Sequence, residues 1–336
     1  MNAPSRAVGS LAADQVQEVL LAAVAAPSLH NSQPWRFHCT PEAIELYADR
    51  CQAIPVADPD DRELVLACGA ALLNLRLAIR MTGVQADVRM PARRREPDLL
   101  AVVRPAGRRP ATPTGVALAT AIHRRRTNRR PFHPTPVPQA VQNQLRQAAE
   151  AERAWLAIPE QPQLPKLRSL LHQAHQAQLA NPAFAAEWRH WTGRDIDATD
   201  GVPVRSSGPA PEPQDEWVLR DFSSGRANAR VPGKDFEPEP LICVLGSFQD
   251  SRSAQLHAGM AMQRVLLTAT AAGLSASFLS HAIEVPAARK ELRTLIGGGL
   301  WPQAVLRIGY GSPVPMTPRR SLDEVVDGEP APNRPG

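Results

Sequence analysis

Lysine is nearly missing from this chain. Three lysines (Lys166, Lys234, Lys290) stand against 35 arginines, and the net charge is only +5. Guanidinium forks bind phosphate or carboxylate in bidentate fashion where lysine supplies a looser point charge, although a GC-rich genome would produce the same bias. The mild excess permits nucleic-acid contact without requiring it. Four cysteines, at 39, 51, 68 and 243, have no CxxC spacing, which argues against a Cys zinc site and a disulfide scaffold and for buried, reduced thiols. The longest unbroken apolar run, Val19 to Ala26, is far short of the ~20 residues of a membrane span. Asp14, Gln15, Gln17 and Glu18 precede it, unlike the basic start of a signal peptide. The expectation is a soluble, cytoplasmic protein with no membrane partner. No HExxH or GxSxG string occurs, and Gly297-Gly298-Gly299 follows a helical pattern, not the strand that a dinucleotide fingerprint needs.

What the chain does have is 336 residues with 43% apolar content, which excludes wholesale disorder, and 34 prolines, which require many or long loops. Patterning predicts helices over 14–26, 63–81 (closed by Gly83), 115–126, 140–152, 164–179, 182–192 and 257–272. Strands are expected over 43–48, 86–90, 99–104, 241–246 and 304–309, with the second and third paired around the basic turn Arg93-Arg94-Arg95. The 63–81 helix is apolar nearly all round, as a central buried helix is. Residues 202–240, rich in Pro, Gly and Ser, form the best candidate for a long loop or lid, and 327–336 a disordered tail. His172 and His175, at i and i+3, read as a surface pair.

Sliding the chain on itself by 190 residues superposes Leu66, Gly69, Ala71, Leu77 and Gly83 on Leu256, Gly259, Ala261, Leu267 and Gly273, and Val84 on Leu274. Two glycines at one spacing around similar apolar helices point to a duplication.

Three segments carry the chemistry. Pro27-Ser28-Leu29-His30-Asn31-Ser32-Gln33-Pro34-Trp35-Arg36-Phe37 packs polar side chains between apolar elements, a set suited to a flat polar heterocycle. A helix stop with Trp35 and Phe37 as core anchors explains the prolines and aromatics but not the Ser, His, Asn and Gln. Arg124-Arg125-Arg126-Thr127-Asn128-Arg129-Arg130-Pro131-Phe132 is, by composition alone, a solvated basic run or a nucleic-acid patch. Paired Arg forks with a hydroxyl also suit a phosphate monoester. Pro315 to Val326, containing Arg319-Arg320, alone reads as a charged tail.

The first segment closely resembles the PSxxNxQPWxF signature of the flavin-dependent nitroreductase superfamily. The second resembles its RRSxRxF phosphate motif, with Thr127 at the Ser position and Pro131 inserted before Phe132. With the third segment, Gly201-Val202-Pro203 and Leu306 to Gly311, residues 14–326 are similar to one family, the Acg FMN-binding proteins, which are fused, double-length members of that fold. The resemblance implies an α+β nitroreductase-like fold of two tandem halves forming an intrachain pseudo-dimer, with mixed, mostly antiparallel sheets. The halves would be 1–120 and 121–326. It further implies one FMN per chain, with NAD(P)H as a candidate electron donor and an unknown small-molecule acceptor. The chain would be a monomer or weak homodimer. Arg125, Arg126, Thr127, Arg129 and one of Arg319 or Arg320 would hold the phosphate and nearby polar groups. Ser28, His30 and Asn31 would line the flavin from the other half, and backbone at Leu279-Ser280-His281 would approach N5. Lone histidines are more often structural, so no catalytic role goes to His30 or His281; the flavin carries the hydride chemistry. Three functions follow in order of preference: an FMN-dependent oxidoreductase, a flavin-sequestering protein with a lidded site and little turnover, and an Arg-rich nucleic-acid binder.

Overall fold

The computed structural model describes residues 6–91, 96–195, 197–212, 215–227, 230 and 239–327. The first part of the chain forms α1 (Ala13–Val24), β1 (Trp35–Cys39), β2 (Ile44–Ala48), α2 (Arg62–Met81), β3 (Val84–Arg89), β4 (Leu99–Arg108) and α3 (Pro113–Ile122). Next come α4 (Gln139–Glu150), β5 (Trp155–Ala157), α5 (Leu164–Leu179), α6 (Pro182–Trp191), β6 (Thr192–Arg194) and β7 (Val202–Pro203). The chain finishes with β8 (Leu241–Ser247), α7 (Arg252–Ala271), β9 (Ser275–Phe278), α8 (His281–Glu284), α9 (Pro286–Leu295), β10 (Trp301–Gly309) and α10 (Leu322–Val325).

Helix α2 is the core of the molecule. Asp58 accepts the Leu64 N–H at 2.9 Å and satisfies one of its first free donors. Beyond that turn the helix buries Leu72, Leu73, Leu75 and Ile79 completely, each contributing about 1.5–3 kcal/mol. Among the described residues α2 alone is long and apolar enough to cross a membrane by composition, and most of it is buried inside the protein. Its partner α7 starts five residues earlier than the expected 257, because Ser251 accepts the Ala254 N–H and caps it. Helix α3 ends at Ile122 instead of running to Arg126. The arginine run is instead drawn out along β9, with Thr127 bridged to Ala276 and the Asn128 N–H donating to the Ala276 carbonyl at 2.8 Å.

Two four-stranded sheets flank the helix pair, in the orders β1-β2-β4-β3 and β5-β8-β10-β9. Every strand pairing in both is antiparallel, whereas the small β6–β7 pair and the isolated bridges Phe37–Val326 and Thr127–Ala276 are parallel. Matching β1 with β5, β2 with β8, α2 with α7, β3 with β9 and β4 with β10 turns one order into the other. The helices cross where the 190-residue offset places its glycines. A Cβ on Gly69 would lie 2.9 Å from the Gly259 Cα, and closer still to the Leu256 carbonyl oxygen. A Cβ on Gly259 would meet Leu66 in the same way, at 2.8 Å from its carbonyl carbon. Such reciprocity, in which i meets j and j meets i, is the geometry of a two-fold interface. Nearby, the Gln263 amide donates to Asn74 Oδ1 at 2.7 Å, and Glu152 receives both Arg76 and Arg264.

The halves are also stitched together away from the crossing. Glu187 on α6 accepts the backbone N–H groups of Val56 and Ala57. After β10 the chain returns as a strap, ending with α10 and the Asp327 N–H on the Phe37 carbonyl of β1 at 2.9 Å. Of the segment expected to be disordered, Asp327 is thereby fixed, whereas 328–336 lie outside the described residues, as do Arg93, Arg94 and Arg95. Between β7 and β8 the described lid residues form a short 3-10 turn, Val204–Ser206, and otherwise irregular chain.

Candidate functional site

The Pro27–Pro34 segment is a strained turn. His30, Asn31 and Gln33 have φ of +48°, +61° and +55°, backbone values that L-residues hold only when their surroundings force them. Gln33, fully buried, does much of that forcing. Its N–H donates to Ser28 Oγ (2.9 Å), its amide to the Asn31 and Thr199 carbonyls, and its Oε1 accepts the Arg320 N–H. Trp35 and Phe37 sit in the core as anchors.

The arginine run and the strap meet at this turn. Arg125 is 5% exposed; its Nε has no hydrogen-bond partner and its Nη1 reaches only Thr127 Oγ1, at 3.5 Å. Burial, reinforced by the charges of Arg319, Arg126 and Arg129, lowers its pKa to about 9. Arg126 turns back onto the carbonyls of His123 and Arg125. Arg129 donates to the Ser206 carbonyl and stacks 4.2 Å above the Phe222 ring of the lid. Arg319 donates to the Val24, Ala25 and Ala26 carbonyls at the end of α1 and to Asn31 Oδ1 at 2.8 Å. It therefore caps that helix while adding positive charge beside Arg125. Among the described residues, Arg125, Arg126, Arg129 and Arg319 make no ion pair with a carboxylate. Arg320 differs, because its guanidinium pairs with Asp49 at 3.3 Å and reaches the Glu324 carbonyl. Both strap arginines hold the turn, Arg319 at Asn31 and Arg320 at Gln33, but only the Arg320 charge is met by a carboxylate.

Beside this cluster opens a cleft of about 710 Å³, part of it open to solvent, between α2, the β9–β10 edge and the lid. Ser28, His30, Thr127, Arg129 and Ser280 line it, so residues far apart in sequence converge on one space. His281 lies behind the wall, buried, with both ring nitrogens unpartnered and its ring edge-on to His175 at 5.2 Å. His175 is thus half of a buried contact, not of a surface pair. Burial and the Arg220 charge push the His281 pKa well below its usual value. His30, edge-on to Trp188 at 4.9 Å, is lowered by burial to about 3. Both rings are neutral at physiological pH.

Among the cleft residues that escaped the motif reading are Glu63, Arg220, Phe222 and Gln303. Arg220 and Phe222 come from the lid. Arg220 is held by a buried ion pair with Glu284, 3.1 Å from Nη1 to Oε1, and by Gln178. The Arg220 guanidinium holds the Glu284 carboxyl ionised against its burial. Glu63 accepts from Arg62 Nη2 at 2.8 Å, and Arg62 in turn donates to the Gln303 carbonyl at 2.6 Å. An adjacent Arg-Glu pair opening an apolar helix was the one available signal for Glu63.

Three proteins of Mycobacterium tuberculosis strain H37Rv resemble the chain over most of its length. One named "Putative NAD(P)H nitroreductase Rv3131" is 34% identical across 94% of this chain and 92% of its own. Another, "Putative NAD(P)H nitroreductase acg", is 31% identical across 93% and 95%. A third, "Uncharacterized protein Rv3127", is 30% identical across 93% and 92%. No protein-family model matches. Among solved structures, the FMN-dependent nitroreductase NfnB from Mycobacterium smegmatis in complex with NADPH aligns with a TM-score of 0.39 and 15% identity, over 64% of this chain and 99% of its own. A nitroreductase with bound FMN from Desulfitobacterium hafniense DCB-2 aligns at 0.40 and 11%, over 63% and 98%.

Proposed function

The chain belongs to the Acg family of nitroreductase-like proteins, and from that premise we propose that it is an FMN-dependent, NAD(P)H-oxidising reductase with one cofactor site per chain. The observation that carries this reading is the arginine cluster without carboxylate partners. Buried positive charge is costly unless paired, and Arg125 offers an unused N–H beside a hydroxyl at Thr127. A phosphate monoester fits both the charge and the donor set. In this reading Arg125 and Thr127 bind the phosphate directly, while Arg126, Arg129 and Arg319 supply field and hold the loops. Ser28, His30 and Asn31 present the strained turn to the ring system, and Ser280 borders it from the β9 side. Bound FMN would supply hydride transfer at its N5. The protein's own contribution is to orient the ring, exclude water with Phe222 and Arg220, and keep both histidines neutral.

Residues 1–120 and 121–326 are read as duplicated halves, each contributing one wall of the cleft. That arrangement favours a monomer, and the cytoplasm suits its reduced thiols. A second reading, flavin sequestration with little turnover, is favoured by one observation: the Arg220–Glu284 pair fastens the lid over the cleft.

The test is the visible spectrum of the purified protein, followed by anaerobic NADPH. A flavin spectrum near one FMN per chain that bleaches supports the reductase. A yellow protein that only dithionite reduces supports sequestration, and a colourless protein that takes up no FMN refutes both.

A further inference from the structure

We propose that Glu63 is the proton donor of the cleft, supplying the proton that accompanies hydride transfer to the acceptor and recovering it from solvent. The inference rests on the reductase reading above. Glu63 is the one carboxyl among the residues lining the main cleft, and its side chain is 12% exposed. Both imidazoles near that space are neutral, and His281 does not reach it.

The second cleft lies across the start of α2. Arg62, Asp58, Asp60, Asp250 and Glu284 line it, so Arg62 and Glu284 face one space while their neighbour Glu63 faces the other. Arg62, which lines the second cleft, bonds to Glu63 and to the Gln303 carbonyl, and both of those residues line the main one. The charged groups around Glu63 are Arg62 on its own helix, Asp58 before it, Glu284 on α8, and Arg220 and Arg129 around the cleft, with the neutral His30 imidazole beside them. Burial raises its pKa to about 8, opposed by Arg62 and assisted by Glu284 and Asp58. A group of that affinity holds its proton at neutral pH and can release it there.

The step balances for a quinone acceptor. Hydride from the reduced cofactor brings two electrons and one proton to one oxygen. The Glu63 Oε–H bond breaks as the second quinone oxygen gains its O–H bond, giving the hydroquinone. Water entering the main cleft, which Glu63 lines and which is part open to solvent, then returns a proton to the carboxylate.

The first measurement is a carboxyl 13C NMR titration of FMN-free protein, which is independent of cofactor chemistry. A glutamate resonance with a midpoint near 8 that vanishes in E63Q is expected. In D58N, which keeps the acceptor for Leu64, that midpoint should fall by about half a unit or more. In FMN-loaded protein, E63Q should slow quinone reduction at pH 7 by about 10²-fold or more. A Glu63 carboxyl ionised throughout pH 5–9 overturns the proposal, as does an E63Q enzyme with the native rate and pH profile. Failure to bind FMN at all would instead refute the reductase reading, and the NMR titration separates the two.

Discussion

Arg125 is predicted to destabilise the protein that carries it, until an anion arrives. Its pKa falls from the ordinary 12.5 to about 9, with burial as the main cause and Arg319, Arg126 and Arg129 as lesser ones. At about 1.36 kcal/mol per pH unit, this corresponds to a ceiling on the order of 4–5 kcal/mol; local relaxation leaves about 2–3 kcal/mol. The sign follows from the direction. A base whose pKa is depressed by folding carries the full penalty wherever it stays protonated, here at every pH below about 9, and sheds it only as pH rises from there towards 12.5. Replacing Arg125 with methionine removes the charge and one long contact to Thr127. FMN-free Arg125→Met should therefore melt higher than wild type, by about 4–12 °C at roughly 2–4 °C per kcal/mol, and equally so from pH 6 to 8. Wild type should gain about 2.7 kcal/mol from FMN at a hundred times its Kd, and the variant far less at the same concentration. Differential scanning calorimetry in phosphate-free buffer, with and without FMN, reads both. If Arg125→Met lowers the FMN-free stability by about 2 kcal/mol or more and keeps the full response to FMN, the residue is a structural cation and the reasoning is wrong.

Other consequences are as direct. Gly69→Ala and Gly259→Ala should each lose about 1–3 kcal/mol to overpacking, net of the ~1 kcal/mol alanine gains in a helix. The double variant should lose less than the sum in urea unfolding, because one widening of the crossing accommodates both. Arg220→Gln leaves Glu284 buried without its cation and should lose about 3–5 kcal/mol. Adding Glu284→Gln should restore much of it, and iodide quenching of bound flavin should rise in both variants if the pair fastens the lid. The His30 imidazole should show no NMR titration between pH 5 and 8. Its folded pKa of about 3, set mainly by burial, means that stability is complete above pH 6.5. It falls by up to about 1.4 kcal/mol per unit as pH drops from there towards 3.

The elements legible in the sequence were those whose cause is local. Helix α2 announced itself by an apolar surface on every side, and the Pro27–Pro34 turn by its prolines. The match of Gly69 with Gly259 was visible because close helix crossing tolerates no Cβ. What stayed hidden depended on distant partners. Nothing near Ile122 stops α3; the stop comes from β9, about 150 residues away. Strands β5 and β9, three and four residues long, are too short to show a period and exist because β8 and β10 offer them edges. Arg319 and Arg320 are chemically identical neighbours, and only the placement of the α1 carbonyls and Asp49 divides their tasks. Arg220, in a segment whose composition said only loop or lid, acquires its role from Glu284, itself three residues past Leu279-Ser280-His281.

The helix crossing has one more consequence. In an assembly of two separate identical chains, residues beside the symmetry axis meet their own copies, so each mutation changes both sides at once and only self-complementary solutions survive. Here Asn74 faces Gln263, and a single acid, Glu152, serves Arg76 from one helix and Arg264 from the other. No pair of identical helices could realise that arrangement with one copy of each residue. On the proposed reading of two duplicated halves, covalent linkage makes every position near the axis independently heritable: one half can be refined for chemistry while its counterpart is rebuilt as scaffold, without the change being imposed on both.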